Sequence, residues 1–303
     1  MHLDEDDIDA FISAHRLPPD YMQVVTDHYL PLAEWIAAEQ GPGRQLLVGI
    51  CGAQGTGKST LAAFLERALA ATGRRVAALS LDDFYLTRAE RAKLAATVHP
   101  LLATRGVPGS HDVALLMSVL DALQELGEGD TVRVPRFDKA TDDRASPDAW
   151  RAHSGPVDIV LLEGWCVGSV AEDEAALAMP VNALEADEDP DGCWRRWVNE
   201  RLTREYAGLR GRLDRLVYLA APDFDAVYRW RLKQEEKLRS ATGGGGRLLG
   251  PDQLRRFVMH YERLTRANAN TLPELADAVL ELDQEHRCTG SRYGRSPKAP
   301  ARA

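Results

Sequence analysis

Cysteine is scarce in this chain, four residues in 303, and Cys51, Cys166, Cys193 and Cys288 form no C-x-x-C pair. A zinc ribbon and a disulfide framework are both disfavoured by that spacing, and buried reduced thiols are expected, Cys51 among them. Basic charge is also in deficit: 37 Lys and Arg against 46 Asp and Glu leave a formal charge of -9. General nucleic-acid binding normally needs a basic face, so no nucleic-acid partner is expected. No apolar run approaches a membrane span, and the opening Met1 to Asp7 is acidic where a secretory leader would be basic and then apolar. No membrane association and a cytoplasmic location are the corresponding expectations. No internal repeat is visible. What is present, 45% hydrophobic and 27% charged residues, is ordinary for a chain that buries a core.

Gly52-Ala53-Gln54-Gly55-Thr56-Gly57-Lys58-Ser59 reads G-x-x-x-x-G-K-S, the loop that wraps the phosphates of a nucleoside triphosphate. The apolar run 45–51 before it suits a buried parallel strand, and Thr60 to Leu69 after it has helical spacing. Strand, loop and helix together are the context the motif requires. The glycines allow successive backbone N–H groups to turn inward on anionic phosphates at the positive end of the following helix. Lys58 is placed to reach the terminal phosphates, and Ser59 to offer its hydroxyl to Mg²⁺, so ATP and Mg²⁺ are expected together.

Residues 7–40 have helical spacing before the Gly41-Pro42-Gly43 break, and are read as a helical extension, residues 1–44, packed on the core. Further strands are expected at 75–81, 132–134, 157–162, 213–221 and 278–282, the last short enough to be a helix end. Helices are expected at 87–96, 111–126 and 223–239. Strands alternating with helices predict an α/β fold with a parallel sheet covered on both faces and ligands at the carboxyl ends of the strands. The core is placed at 45–285. It includes a helical lid at about 229–250, with a mobile flap at Thr242 to Gly246, and a flexible tail follows over 286–303.

Candidate site residues follow strands. Asp82, with Asp83 beside it, ends the second strand; strand neighbours face opposite sides, so one of the two is expected to point into the site. Asp82 is the favoured base for an attacking hydroxyl and Asp83 a helper or structural residue, with a helix cap as the alternative. Glu163 ends an apolar strand where an acidic residue can serve Mg²⁺. Arg105, His111, Arg136, Lys139 and Arg144 are candidates, as a group, for receiving an anionic acceptor. Arg229 and Arg231 either close over the transferring phosphoryl group or belong to a solvated helix face.

The stretches 52–60, S-L-D-D-F-Y-L-T at 80–87, R-G-V-P-G-S-H-D at 105–112, P-R-F-D-K at 135–139, L-E-G-W at 162–165 and W-R-L-K-Q-E at 230–235 resemble the D-glycerate 3-kinase family. That family sits in the broader group of P-loop kinases with uridine kinase, phosphoribulokinase and bacterial pantothenate kinase. The resemblance covers roughly residues 45–285. It implies phosphate binding by Gly52 to Thr60, catalysis by Asp82, a magnesium-linked role for Glu163, and acceptor binding by Arg105, His111 and Lys139. Asp83, Tyr85 and Arg136 are taken with that acceptor set. The implied activity is phosphorylation of D-glycerate to 3-phospho-D-glycerate. The same chemistry on pantothenate, a nucleoside or a sugar phosphate stays open, as does a nucleotide-dependent switch or partner-binding ATPase. The absence of N-K-x-D and T-K-x-D elements speaks against a GTP switch. Oligomeric state is not legible.

Overall fold

A strand with apolar residues at every position must be covered on both sides, and Leu46 to Gly52 is buried throughout. The computed structural model describes residues 3–242 and 250–294. From the N-terminus the elements are α1 (Glu5–Ala14), α2 (Tyr21–Val24), a π-helical turn (Val25–Tyr29), α3 (Leu30–Glu39), β1 (Leu46–Gly52), α4 (Lys58–Ala70) and β2 (Val76–Ser80). A 3₁₀ turn (Leu81–Phe84) leads to α5 (Arg88–Thr97), α6 (Val113–Gln124), β3 (Thr131–Val134), β4 (Phe137–Asp138), β5 (Asp143–Arg144), β6 (Arg151–Ser154) and β7 (Ile159–Glu163). Then come α7 (Glu174–Leu177), α8 (Ala183–Glu188), α9 (Cys193–Thr203), α10 (Glu205–Arg212), β8 (Arg215–Ala220), α11 (Phe224–Thr242), α12 (Pro251–Leu275), β9 (Ala278–Leu282) and β10 (Cys288–Tyr293).

The main sheet has the order β10-β9-β8-β1-β7-β2, parallel except for β10. Alternation divides its side chains. Leu46, Val48, Ile50, Ile159 and Leu161 join the core under α1, α3 and α4, whereas Leu47, Val160 and Leu162 join the core under α6, α10 and α12. The α/β architecture with helices on both faces therefore stands. Among the described residues no helix is long and apolar enough to cross a membrane.

Four differences from the sequence reading have local causes. Cys288 to Tyr293, assigned to the tail, pairs antiparallel with β9, and Tyr293 packs on Trp35 with ring centroids 5.8 Å apart. Backbone pairing at a sheet edge decides there over polar composition. The strand at 132–134 pairs outside the main sheet, with β6, in a separate two-stranded ribbon. The expected strand end at Asp82 is a 3₁₀ turn. Between Trp165 and Leu213, where no element was expected, stand α7 to α10. Their helices run for 4 to 11 residues, two of them opening on side-chain caps, Asp173 and Asn182, so they carry little periodic signal. The proposed flap, apart from Thr242, and the tail from residue 295 lie outside the described residues.

Candidate active site

The register of three parallel strands sets the acidic centre. Ile50 of β1, Glu163 of β7 and Ser80 of β2 lie in one row across the sheet. Glu163 is buried, and its Oε1 accepts from the hydroxyls of Ser59 at 3.0 Å and Ser80 at 2.8 Å. Ser59 opens the helix whose N-terminus the loop wraps, with Gly55 and Gly57 at φ 81° and 90°. Both lie in the left-handed region that glycine occupies without penalty. Lys58 Nζ donates to the Ala53 carbonyl at 2.9 Å, and the Thr56 hydroxyl donates to the same oxygen at 2.8 Å. The loop is thus tied across itself, with the Lys58 ammonium over its mouth.

On the 3₁₀ turn Asp82 and Asp83 are separated by about a third of a turn rather than by strand alternation. Asp82 accepts from Lys139 Nζ at 2.8 Å and from the Tyr85 hydroxyl at 3.0 Å. Asp83 accepts from the Phe137 N–H at 3.0 Å, which anchors the segment carrying Lys139. The two carboxylates thus have different partners. Burial raises Asp83, with the neighbouring Asp82 and Glu163 adding to the effect against the Phe137 N–H. Burial acts on Asp82 too, but the Lys139 ammonium and the Tyr85 hydroxyl outweigh it and hold that carboxyl below the usual range.

Around this centre most of the other candidates are already engaged. Arg105 pairs with Asp142, its guanidinium lies 5.4 Å from the Phe137 ring centre, and Asp142 also pairs with buried Arg91. Arg144 bridges the Tyr85 carbonyl and Asp112, each at 3.1 Å. Arg136 is exposed. His111 is buried, stacked on Tyr85 at 4.5 Å, and hydrogen-bonded through Nδ1 to the Tyr206 hydroxyl at 2.6 Å. The loop that carries Arg105 and His111 is fixed by Trp165 Nε1 on the Gly106 carbonyl at 2.7 Å and by Tyr261 Oη on the Arg105 carbonyl at 3.0 Å.

Gly109 in that loop has φ 92°, and a Cβ there would come 2.4 Å from the Trp197 ring. Gly109→Ala is expected to cost about 2–4 kcal/mol in urea unfolding, backbone strain and overpacking together. Gly73, at φ 82° with open space around it, isolates the strain, so Gly73→Ala is expected to cost about 1–2 kcal/mol. Equal losses in the two variants would refute the packing component.

The two lid arginines face different ways. Arg229 reaches Gln284, on the loop after β9, whereas Arg231 pairs with Glu235 and lies 5.9 Å from the Phe257 ring centre. That ring packs in turn on Tyr261 with centroids 5.1 Å apart, so Arg231 and Arg229 have separate surroundings. Between them Trp230 lies on the loop: a Cβ at Gly55 would stand 3.0 Å from Trp230 Cβ, and the indole packs on His286 at 4.6 Å. A cleft of about 1090 Å³ opens beside Gly55, Gly57 and Thr60, walled by Trp230, His286 and the π-helical turn at His28.

Residues 47–182 match the phosphoribulokinase/uridine kinase family. "Uncharacterized kinase mug58" of Schizosaccharomyces pombe is 34% identical over 253 residues, 79% of this chain and 86% of that one. The chain belongs to this kinase family. Chloroplastic D-glycerate 3-kinase of Arabidopsis thaliana is 32% identical over 255 residues, 79% of this chain, which spans 53% of that longer protein. The solved D-glycerate 3-kinase of Cryptococcus neoformans superposes with a TM-score of 0.71 at 25% identity, over 90% of this chain and 99% of that one. The protein is therefore a P-loop phosphotransferase.

Several contacts around this centre had no sequence signal. Ser80 and Tyr206 are brought in by strand register and by a helix with no readable period. Tyr261 stands on α12, far along the chain from the loop it holds. Trp230 was legible as part of a charged helical pattern and of the stretch at 230–235, neither of which places it on the phosphate loop.

Lys139→Met tests the electrostatics of the kinase directly. Without the ammonium, burial acts on Asp82 with less opposition, so the carboxyl protonates at higher pH. The acid limb of kcat/KM is expected to move upward in pH, whatever happens to its height. An unmoved limb would mean that Asp82 does not govern it.

Proposed function

We propose that the protein transfers the γ-phosphoryl group of ATP to the primary hydroxyl of D-glycerate, giving 3-phospho-D-glycerate. The carrying observation is Asp82: a carboxylate held below its usual range by Lys139 and Tyr85, two residues beyond Ser80, which shares Glu163 with Ser59 of the phosphate loop, while Arg105 lies over the Phe137 ring on the segment that carries Lys139. Its relatives favour glycerate over pantothenate or a nucleoside, since two of the matched proteins bear that activity in their names.

Asp82 accepts the acceptor's hydroxyl proton in a hydrogen bond and aims the oxygen at phosphorus. Because the carboxyl is held below its usual range, it orients first and receives the proton at an Asp82 carboxylate oxygen as the new bond forms, which suits a loose transition state. Lys58 moves from the Ala53 carbonyl onto the phosphates, and Arg231 neutralises charge from the lid side. Arg105, Arg136 and Lys139 supply the positive surface for the glycerate carboxylate, and the cleft beside Trp230 and His286 would hold the adenine. Among the described residues no three His, Cys, Asp or Glu side chains group as a metal cage. Mg²⁺ held by one or two protein oxygens, phosphates and water needs none, and the Ser59 hydroxyl with the Glu163 carboxylate suits it. When bound with ATP, the ion would neutralise phosphate charge.

ADP release with Mg²⁺ and ATP, measured with no acceptor and with D-glycerate, L-glycerate, pantothenate or uridine, tests the reading. Turnover dependent on D-glycerate, with phosphate on the primary oxygen, is expected. Turnover on another acceptor would discard glycerate and keep the mechanism, whereas hydrolysis indifferent to all of them would discard both.

A further inference from the structure

The Tyr206 hydroxyl sits in a setting that determines which nitrogen of His111 carries a proton. Its oxygen accepts from the Gly109 N–H at 3.1 Å. Among the described residues the hydroxyl proton has one acceptor in reach, His111 Nδ1 at 2.6 Å, and an N–H at Nδ1 would leave that proton without a partner. Nδ1 is therefore unprotonated, and a neutral imidazole must carry its hydrogen on Nε2. Burial acts the same way, pushing the imidazole down to about 4 against the pull of Asp82, so the ring stays neutral at physiological pH. Among the described residues Nε2 is buried with no hydrogen-bond partner. The ring lies flat on Tyr85, whose hydroxyl is bonded to Asp82, so this donor stands beside the carboxylate that orients the acceptor.

We propose that His111 Nε2–H donates to an oxygen of the bound acceptor next to the reacting hydroxyl, and that Tyr206 is the positioning residue that fixes this tautomer. The inference rests on the assignment of the Asp82 side as the acceptor site. It adds specificity that the cationic groups cannot give: arginine and lysine attract any anion, whereas one directed neutral donor distinguishes where an oxygen stands on a short carbon chain. The acceptor class it selects is a small molecule with an oxygen function next to a primary hydroxyl.

Two measurements test it. Histidine ¹⁵N spectra of the acceptor-free kinase, with His111 assigned by His111→Gln, are expected to show Nε2 protonated and Nδ1 bare, and Tyr206→Phe is expected to lose that bias. In kinetics, Tyr206→Phe is expected to raise the KM for acceptor about tenfold, with kcat and the KM for ATP within about twofold. His111→Gln, which keeps a donor near the Nε2 position, is expected to retain acceptor binding better than His111→Ala. Protonated Nδ1 in the wild type, or equal losses in His111→Gln and His111→Ala, would overturn the proposal. So would an Nε2–H resonance unmoved by saturating D-glycerate in a protein that turns it over. If D-glycerate is not turned over, the active acceptor of the panel takes its place. If none is active the functional reading falls, while the acceptor-free spectrum still decides the tautomer.

Discussion

Replacing Asp82 by Asn is expected to lower kcat by about 10²–10⁴-fold, with the KM for ATP held within about twofold. The change keeps size and removes charge, so the acceptor's hydroxyl loses both its orienting partner and its proton acceptor. Lys139 Nζ, now 2.8 Å from that carboxylate, is left facing an amide, so the acceptor's KM is expected to rise as well. Asp83→Asn provides the contrast. Its carboxylate holds the Phe137 N–H, which an amide oxygen can also do, so that variant is expected to keep most of its turnover. Steady-state kinetics on both variants decides the assignment, and comparable losses would show that the two carboxylates share the task.

The second large effect is expected from Lys58→Ala, a fall of about 10²–10³-fold in kcat from removing one fixed cation at the transferring group. Lys58 also ties the resting loop through the Ala53 carbonyl, so nucleotide affinity is expected to weaken too. Thermal unfolding without nucleotide separates the two roles. A Tm close to wild type with the kinetic loss intact assigns the effect to phosphate contact, whereas a large drop in Tm with kcat preserved would reassign Lys58 to scaffolding.

What was legible followed from short-range rules. The phosphate loop is a contiguous string with a strand before it and a helix after, and β7 and β8 are apolar runs bounded by turn residues. Asp82 and Glu163 could be placed because parallel sheets present the ends of their strands to the ligand. Their partners could not, because Ser59, Ser80 and Glu163 meet through register among three strands. The loop at 105–112 announced turns, but the tyrosines that lock it arrive from α10 and α12, and nothing local in the sequence couples those segments. Arg229 and Arg231 looked equivalent as two charges on a helix. A separation of two residues turns side chains by roughly 200° around the axis, and the structure accordingly sends one to Gln284 and the other to Glu235 beside the Phe257 ring. The last strand read as tail because its polar side chains say nothing of a partner strand across a tight turn.

The strand order carries a kinetic consequence. β1 emerges early during synthesis, yet its neighbours are β7 and β8, made from residues 159–163 and 215–220, and β9 and β10 complete the edge last. The phosphate loop therefore hangs from a strand with no lateral partner until residue 163 is made and with one edge open until residue 220. His28 in the N-terminal helices waits longer still for Ser291, its hydrogen-bond partner at 3.3 Å. Closure of such distant contacts is slow, and a nascent chain halted before β8 presents an apolar strand with an open edge to whatever it meets. Nucleotide offered during refolding has no formed cradle to bind until that closure is complete, so it stabilises the finished kinase without hastening its assembly.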